Sequence, residues 1–481
     1  MKKKVQCKLA KLEKIIEKGM IKDCNEIVLQ SVAAYGSYLY KEREVFTSEY
    51  LEHVINQMCE VYSAKKMTSA VEVQKNVVLF YDGFGQDMRG LAIIYLKALA
   101  ELGYKIIYVT DVRAKGKQPM IRSVLQPYDV DVRYYTYAKG YCNQLVFLLE
   151  IFEQEKPFCS FLYTRPEDVT GVIAFKLCDF SKRFLINLTD DVFWLGTTCF
   201  DYCIEFRSYG FDLSYKYRQI PKEKLVILPF YPYIDKTKEF EGFPADVAGK
   251  RIVFSGGALY KTFSEDKLYY RMVSDILEKY SDTVFMYAGY GDNSRLKELA
   301  AQFSGRVFQM EERKDLYQIL KRSFIYMNTY PISGGLMTQY AAAAGVLPLT
   351  LYVSNECEGL LLNQEKTGVF FKSYADLMTE VDRIFTDDDY RRERQKYMEN
   401  CLITENEFKD TLQQIIRSGR SRFAFEDITA DLSTETYDER YKMEMFETCI
   451  GTYRNRKLIR YFPGVYIKRI YHAILRRVRR N

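Results

Sequence analysis

Four glycine-rich turns carry the residues of this sequence that are best suited to bind a ligand. Each follows a β-branched and aromatic stretch typical of a strand. The turns are DGFGQDMRG with Gly83 and Gly85, SGGALYK with Gly256, Gly257 and Lys261, AGYGDN with Gly289 and Gly291, and PISGG with Ser333, Gly334 and Gly335. Glycines let a ligand approach the backbone, and a helix N-terminus or a lysine favours a phosphate group. Each turn alone is also explained as a structural turn, but three in succession between residues 255 and 335 favour a phosphate-binding site.

A second set of candidates is polar and lies near other predicted strand ends. LTDDVFWLG supplies Asp190 and Asp191 as candidate general bases, and Trp194, the only tryptophan, as a ring that stacks on a sugar. The alternative is an aspartate pair that caps a helix beside a core tryptophan. The two histidines, His53 and His472, lie in the N-terminal helices and the tail, away from these strand ends. Four further candidates at strand ends rank second: Asp87, Arg89, Arg165 and Arg207.

Strands alternate with helices over most of the chain, which is the pattern of βαβ units in a parallel sheet. KNVVLFYD and KIIYVTD are near-continuous apolar runs, as expected of strands buried on both faces. Prolines, glycines and charges indicate a linker between Pro229 and Lys250. We therefore predict an α/β protein with four parts: a helical N-terminal extension (1–72), two α/β domains (73–235 and 236–417), and a helical, basic tail (418–481).

Composition narrows the class of protein. The chain has 481 residues, of which 48% are hydrophobic, so it can bury more than one core. It has no run of eighteen apolar residues, and its charged N-terminus lacks the apolar region of a signal peptide. Eleven scattered cysteines without a CxxC pair favour free thiols in a reducing cytoplasm over disulfides or zinc. We expect no metal site and no cofactor.

The net charge of +6 belongs to the C-terminal tail. Ten lysines and arginines and no acidic residue lie between Arg454 and Arg480, and removing those ten charges leaves −4 for the rest. Within 463–481, apolar residues recur at helical spacing between basic ones, which is typical of a helix on an anionic membrane surface. The alternatives are a helix docked on the protein itself or a nucleic-acid-binding arm. We favour the membrane, and expect no nucleic-acid partner, because the apolar face is regular and no nucleic-acid-binding fold accompanies it.

The stretch from roughly Asn76 to Arg417 resembles the GT-B glycosyltransferases. In FSGGALYK, Gly256 and Lys261 match positions that contact the donor diphosphate in that family, whereas Gly257 stands where an arginine is usual. TVFMYAGYGDNSRLKELA is similar to the family's strand, Gly-x-Gly turn and helix. ISGGLMTQYAAAAG resembles its donor-ribose and phosphate segment, and NECEGLLLNQEKTGVFF places Glu356 and Glu358 near donor-hydroxyl positions.

The resemblance implies two Rossmann-like domains that face a cleft, with the donor bound by the second domain. The first would be the acceptor side, with candidate residues Gly83, Gly85, Asp87, Arg165, Trp194 and Arg207. Retaining members carry two glutamates eight residues apart, and this sequence has Ile332 and Tyr340 there. The choice between inversion and retention therefore stays open. Three neighbouring side chains are the candidates to hold the donor hydroxyls instead: Thr338, Gln339 and Tyr340.

These observations predict a glycosyltransferase of the bacterial surface-polysaccharide type. It would move a sugar from a nucleoside-diphosphate sugar to a hydroxyl of a saccharide or lipid-linked acceptor, with Asp190 or Asp191 as the base in an inverting mechanism. We expect a cytoplasmic protein, peripheral on the inner face of the plasma membrane. Two alternatives are a non-catalytic GT-B partner that scaffolds another transferase, and a sugar-nucleotide epimerase of the same fold.

Overall fold

The computed structural model describes residues 2–42, 44–68, 71–88, 90–235, 237–311, 313–352, 354–398, 400–432, 439–452 and 454–478. Arg89 and the last three residues of the predicted membrane segment lie outside this range. The chain forms two compact units. The first combines residues 1–228 with 409–481, and the second is 229–408.

A parallel sheet forms the centre of the first unit, in the strand order β3-β2-β1-β4-β5-β6-β7. Its strands are β1 (Gln74–Asp82), β2 (Lys105–Asp111), β3 (Val130–Tyr135), β4 (Pro157–Tyr163), β5 (Lys182–Ile186), β6 (Tyr202–Glu205) and β7 (Leu225–Ile227). The apolar run of β1 is buried from Val77 onward, because helices cover both faces of a parallel sheet.

Helices in both terminal parts of the chain belong to this unit. Those before and between the strands are α1 (Lys2–Ile21), α2 (Asn25–Leu39), α3 (Glu49–Val61), α4 (Ala92–Glu101), α5 (Pro119–Leu125), α6 (Tyr141–Glu155), α7 (Val169–Leu177) and α8 (Ser208–Lys216). Leu12, Val28 and Leu51 of the first three helices are fully buried in the same core as Leu79 of β1. The apolar faces of these helices therefore pack into the unit.

The second unit is built on another parallel sheet, in the order β10-β9-β8-β11-β12-β13. Its strands are β8 (Arg251–Gly256), β9 (Thr283–Ala288), β10 (Val307–Met310), β11 (Ile325–Met327), β12 (Pro348–Leu351) and β13 (Phe370–Phe371). Its helices are α9 (Leu268–Lys279), α10 (Ser294–Gln302), α11 (Leu316–Leu320), α12 (Gly335–Ala343), α13 (Gln364–Thr367), α14 (Tyr374–Thr386) and α15 (Asp388–Met398). The predicted α/β class with parallel sheets is confirmed.

The chain returns to the first unit within α16 (Glu405–Ser418) and ends with α17 (Glu439–Gly451) and α18 (Pro463–Val478). Phe446, Leu458 and Phe462 of this segment are buried in the core that also holds the N-terminal helices. Residues 1–72 and 418–481 are thus parts of the first unit, whereas the sequence had them as an extension and a tail. The second unit begins at Pro229 and not at residue 236, because the segment after β7 already packs on that unit.

Across the described ranges, no helix combines the length and the apolar character that a bilayer crossing requires.

Candidate functional site

Three of the predicted turns meet along the carboxyl edge of the second sheet. They follow β9, β8 and β11, which are neighbours in that sheet. The amide of Gly257 donates to the carbonyl of Ala288 at 2.9 Å, which joins the first two turns. The amide of Ile332 donates to the carbonyl of Lys261 at 3.3 Å, which joins the 3₁₀ turn Leu259–Thr262 to the PISGG segment. Lys261 and Ser333 are therefore carried on adjoining segments.

Close backbone contact explains the glycines of the first two turns. Gly257 has a φ of +136°, a region that side chains disfavour. A Cβ at Gly289 would overlap the carbonyl oxygen of Gly257, so residue 289 has to be glycine for the turns to meet. Gly291 has a φ of +128° and lies against Leu259, whose amide donates to the carbonyl of Tyr290 at 2.9 Å. The turns after β8 and β9 thus meet through main-chain atoms and form, with the turn after β11, a ridge of turns that few side chains cover.

Asn328, at the end of β11, holds the third turn in place. Its Oδ1 accepts from the amide of Gly334 at 2.9 Å, and its Nδ2 donates to the hydroxyls of Thr338 and Thr350 at 2.9 and 3.1 Å. Asn328 is buried, and it fixes the start of α12 relative to the sheet. The N-terminus of α12 is a suitable position for a phosphate group because the first amides of a helix lack acceptors within the helix and the helix dipole favours negative charge. Asn328 was missed in the sequence analysis, although this residue directly follows β11 and precedes the PISGG turn.

The three side chains expected to hold the donor hydroxyls point into the protein. Thr338, Gln339 and Tyr340 are 0, 3 and 7% exposed. Gln339 donates to the carbonyls of Phe230 and Leu360 at 3.2 and 3.0 Å, while the hydroxyl of Tyr340 donates to a carbonyl of the segment after β7. The structure thus places them in the packing of α12, because three consecutive residues after a helix start cannot all lie on its exposed side.

Glu356 and Glu358 follow β12, which lies next to β11 in the sheet. Both are half-buried: Glu356 lies within the 3₁₀ turn Asn355–Cys357, and Glu358 directly follows it. The segment continues to Leu360, whose side chain packs 3.0 Å from the position of a Cβ at Gly335. The two glutamates therefore lie on the segment that covers the start of α12, and their role at the donor hydroxyls stays a prediction.

Asp190, in the first unit, is held in a buried ion pair. Its carboxylate accepts from Nε and a terminal nitrogen of Arg207 at 2.6 and 2.8 Å, and the two side chains are 2 and 7% exposed. Burial raises the pKa of Asp190, and the Arg207 charge opposes that shift. Asp191 is more exposed. The ion pair engages both carboxylate oxygens of Asp190, which a general base would use to accept a proton. Asp190, a predicted catalytic residue, and Arg207, a predicted acceptor-side residue, thus form a structural pair.

Trp194 and Asp87 also have structural surroundings. Trp194 is 4% exposed in the core, with the Arg218 guanidinium 4.9 Å from its ring centroid, which matches the alternative of a core tryptophan. Asp87 accepts from the amides of Met120 and Ile121 at 3.2 and 3.0 Å and so caps α5. Trp194 is thus enclosed in the core, and the carboxylate of the half-buried Asp87 is engaged by the first amides of α5.

The DGFG turn after β1 is organised by Asp82, which sequence reasoning quoted but did not select. Its Oδ1 accepts from the amides of Phe84 and Gly85 at 3.0 and 2.9 Å, and its Oδ2 accepts from the hydroxyl of Tyr108 at 2.7 Å. Burial raises the pKa of Asp82 to about 6. A Cβ at Gly83 would overlap the hydroxyl of Thr164, and Gly85 has a φ of +63°. These glycines are required by the local packing.

The described residues contain no group of three or more histidine, cysteine, aspartate or glutamate side chains arranged to hold a metal ion. The second unit instead offers backbone amides, a lysine and two glutamates. Such a set can hold a phosphorylated ligand through hydrogen bonds and one full charge.

No protein-family model matches the sequence, and no curated protein is similar to it in sequence. Solved structures are similar in fold at low identity. A glycosyltransferase of Rickettsia africae is 14% identical with a TM-score of 0.53, and the match covers 72% of this chain and 98% of that one. A variant of the O-GlcNAc transferase of Thermobaculum terrenum is 12% identical (TM-score 0.51; 84% and 80% covered). A Listeria monocytogenes protein described as a UDP-N-acetylglucosamine 2-epimerase is 12% identical (TM-score 0.51; 74% and 100% covered).

The chain has the GT-B fold. In GT-B terms, the second unit, with the ridge of turns after β8, β9 and β11, corresponds to the half that the resemblance implies for the donor. Two of the predicted acceptor-side residues, Gly83 and Arg165, line a pocket of the first unit.

Proposed function

We propose that this GT-B protein is a glycosyltransferase that moves a sugar from a nucleoside-diphosphate sugar to an acceptor hydroxyl. The observation that supports the proposal most is the meeting of three backbone turns with Lys261 in the second unit. Backbone amides, a helix N-terminus and a lysine together suit a diphosphate that becomes the leaving group. The names of the similar structures, two glycosyltransferases and one enzyme of UDP-N-acetylglucosamine, agree with a sugar nucleotide as substrate.

We assign the general base to Asp191 and not to Asp190. A base has to reach the acceptor hydroxyl, within hydrogen-bond distance or through one water. The carboxylate of Asp190 is occupied by Arg207 and buried, whereas Asp191 is partly exposed on the same loop. Donor hydroxyls are assigned to Glu356 and Glu358, because the side chains of Thr338, Gln339 and Tyr340 are turned inward. The mechanism needs neither a metal ion nor a cofactor.

Measurement of nucleotide release tests the proposal. The full-length protein is incubated with UDP-N-acetylglucosamine and other sugar nucleotides, with and without free and lipid-linked saccharides. We expect nucleotide release that depends on an acceptor. Asp191→Asn should lower the turnover number about 100-fold or more, as for loss of a general base. Lys279→Ala, which removes an exposed ion pair with Asp382, serves as the control. Absence of nucleotide binding would contradict the proposal and favour the scaffold.

A 2-epimerase is the second candidate, because a similar structure is described as one. The two activities differ in what they require. An epimerase converts the sugar nucleotide without any acceptor. Its product is either a sugar nucleotide with an inverted centre or, after hydrolysis by water, a free nucleotide and a free sugar of changed configuration. Analysis of the sugar after incubation without acceptor therefore separates them. A changed sugar in that arm would replace the transferase proposal.

We also propose that α18 places the protein on an anionic membrane, where a lipid-linked acceptor of a bacterial surface polysaccharide would be found. Large apolar side chains of this helix are exposed, with Ile467 at 67% and Ile474 at 55%. Lys468 and Arg469 are exposed beside them. Val465, in the first turn, is buried in the core and anchors the helix to the first unit. An apolar stripe flanked by basic residues suits the headgroup region of an anionic bilayer.

Flotation with vesicles tests this location. The intact chain should float with phosphatidylglycerol vesicles at low salt and less at high salt, and should stay behind with phosphatidylcholine. The double variant Ile467→Glu and Ile474→Glu should lose binding, whereas Ile21→Glu, at an isoleucine of α1 that is 83% exposed, should not. Point variants are needed because deleting α18 would remove Val465 from the core. Unchanged flotation of the double variant would contradict the proposal.

A further inference from the structure

The first unit contains an arginine pocket, which we define by Arg113, Arg165 and Arg454. Its volume is about 130 Å³, against about 30 Å³ for one water at liquid density. It lies beside Gly83 at the carboxyl edge of the sheet and is also lined by Thr452 and Asn455 from the segment after α17. All of these residues belong to the first unit, so the pocket is separate from the ridge of turns in the second unit.

One buried carboxylate serves two of the three guanidinium groups. Asp111, which is 3% exposed, pairs with Arg113 at 2.5 Å and with Arg454 at 3.2 Å. Arg454 is held further by Tyr137, whose ring centroid lies 5.0 Å from its guanidinium carbon. Nevertheless the Nε of Arg454 is buried without a hydrogen-bond partner. A buried N–H without an acceptor is costly, and a ligand oxygen would satisfy it.

Arg165 has even fewer protein partners. Its one hydrogen bond to a described residue is a long one of 3.4 Å, from a terminal nitrogen to the carbonyl of Phe84, and it forms no ion pair with any residue in the described ranges. A half-buried guanidinium without a paired carboxylate is unusual, because removal of its hydration shell has to be offset. The other donors of Arg165 are therefore left for an anion in the pocket.

Two acidic residues line the same pocket, and they differ in state. Asp168 is saturated: its oxygens accept from Tyr81, Tyr137, Thr164, Thr170 and the amide of Gly171. Glu167 has no ion pair within the described residues. Burial raises the pKa of Glu167, and the Arg165 charge opposes that shift. Glu167 is thus the acidic residue of the lining whose substitution breaks no ion pair or side-chain hydrogen bond among the described residues.

We propose that the arginine pocket binds a phosphate group. Three guanidinium groups with one shared carboxylate match the tetrahedral oxygens of phosphate, which arginine holds in a fork. The pocket volume suits one such group with a bound water, and its wall includes the C-terminal segment that leads to α18. The site does not depend on the proposed donor site, because no residue is shared. The phosphate could be free or carried on a lipid, and the experiment separates the two sources.

Calorimetric titration of inorganic phosphate tests the pocket. The titration uses the full chain with Lys261→Ala, so that phosphate binding at the second unit is suppressed, and chloride keeps the ionic strength constant. Addition of Arg165→Gln or Arg454→Gln should weaken phosphate binding about 10- to 100-fold. Glu167→Gln should strengthen it about threefold or more, because a like charge is removed. Arg122→Gln, an exposed arginine outside the pocket, is the matched control.

The arginine variants should weaken phosphate binding and Glu167→Gln should strengthen it, so the test stays decisive even where one arginine variant folds poorly. Unchanged affinity in Glu167→Gln together with Arg165→Gln, or no phosphate binding up to tens of millimolar, would overturn the proposal. A second arm compares pyrophosphate with farnesyl diphosphate. Tighter binding of the farnesyl compound with the same dependence on Arg165 assigns the phosphate to a lipid, and equal binding assigns it to a free or sugar-linked phosphate. UDP binding by Lys261→Ala is a separate measurement, and its loss bears only on the proposed donor site and not on the arginine pocket.

Discussion

The carboxyl edges of the two sheets are made of different parts of the chain. In the second unit the edge is formed by backbone atoms. The turns at Gly257 and Gly289 touch through main-chain atoms, and the buried side chain of Asn328 holds the third turn through the amide of Gly334. In the first unit the edge is made of charged and hydroxyl side chains, such as Asp82, Asp190 and the residues of the arginine pocket. A backbone edge is sensitive to added side-chain volume. A side-chain edge is sensitive to charge and pH.

The difference indicates how each unit recognises a ligand. Backbone amides have a fixed geometry and no charge to lose, so the second unit suits a phosphate group that recurs in every donor. Buried charges of the first unit depend on one another, and removing one leaves another unpaired. Substitutions in the two units should therefore act on different quantities.

The largest effect is expected from Arg207→Gln. It leaves the buried carboxylate of Asp190 without its partner, and breaking a buried pair from one side costs about 3–5 kcal/mol of the free energy of unfolding. Urea denaturation measures the change. Lys216→Gln, which removes the exposed end of an ion pair with Asp212, should leave the free energy of unfolding nearly unchanged. Equal free energies of unfolding for the two variants would contradict the claim that the edge of the first sheet depends on buried charge pairs.

A pH-dependent effect is expected from Asp82→Asn. The pKa of Asp82 is raised from 3.8 to about 6 in the folded protein, so the folded state holds a proton that the unfolded state releases between those values. The wild-type protein therefore loses stability relative to the variant as pH rises from 4 to 6. The change between pH 4 and 6 is about 2 kcal/mol, because the full difference of roughly 3 kcal/mol, at about 1.4 kcal/mol per pKa unit, develops only over a wider pH range. Asparagine keeps an oxygen for the amides of Phe84 and Gly85.

Unfolding curves at pH 4 and pH 7 check this prediction. The exposed Asp129→Asn, in the same unit, is the control and should follow the wild-type protein at both pH values. A stability difference between Asp82→Asn and wild type that does not change with pH would contradict the assignment.

A steric effect is expected from Gly289→Ala in the second unit. The added methyl group would overlap the carbonyl oxygen of Gly257 and force the two turns apart, at a cost of about 1–3 kcal/mol. Gly345→Ala is the matched control, because its φ is +72° and no atom lies within 4 Å of the Cβ position. The control should cost about 1 kcal/mol through backbone strain and leave nucleotide affinity unchanged. Unchanged nucleotide affinity in Gly289→Ala would contradict the role of the turns.

The sequence was informative about the second unit because its signals are local. Glycines next to strand ends report a backbone geometry that forms within a few residues, so the turns at Gly256, Gly289 and Gly334 could be located. The alternation of strands and helices likewise predicted both parallel sheets, and the family resemblance of residues 76–417 implied the GT-B fold. The meeting of the turns follows from the order of strands in a parallel sheet.

Pairings between distant residues could not be predicted. Asp190 and Arg207 are 17 residues apart, and Gln339 binds a carbonyl 109 residues away. A polar side chain at a strand end looks the same in sequence whether it meets a ligand or another side chain. Helices were predicted for residues 1–72, but not the core that they form together with α17. Asn328 carried no separate signal, because a buried asparagine is recognised only by its partners.

Titration of UDP into the protein tests the central claim, that the backbone edge of the second unit binds the donor diphosphate. Wild-type protein should bind UDP, and Lys261→Ala should bind it about 10- to 100-fold more weakly through loss of one charged hydrogen bond. Lys279→Ala, on the surface of the same unit, should bind UDP as the wild type does. Equal UDP affinity in the Lys261→Ala and wild-type proteins would contradict the account.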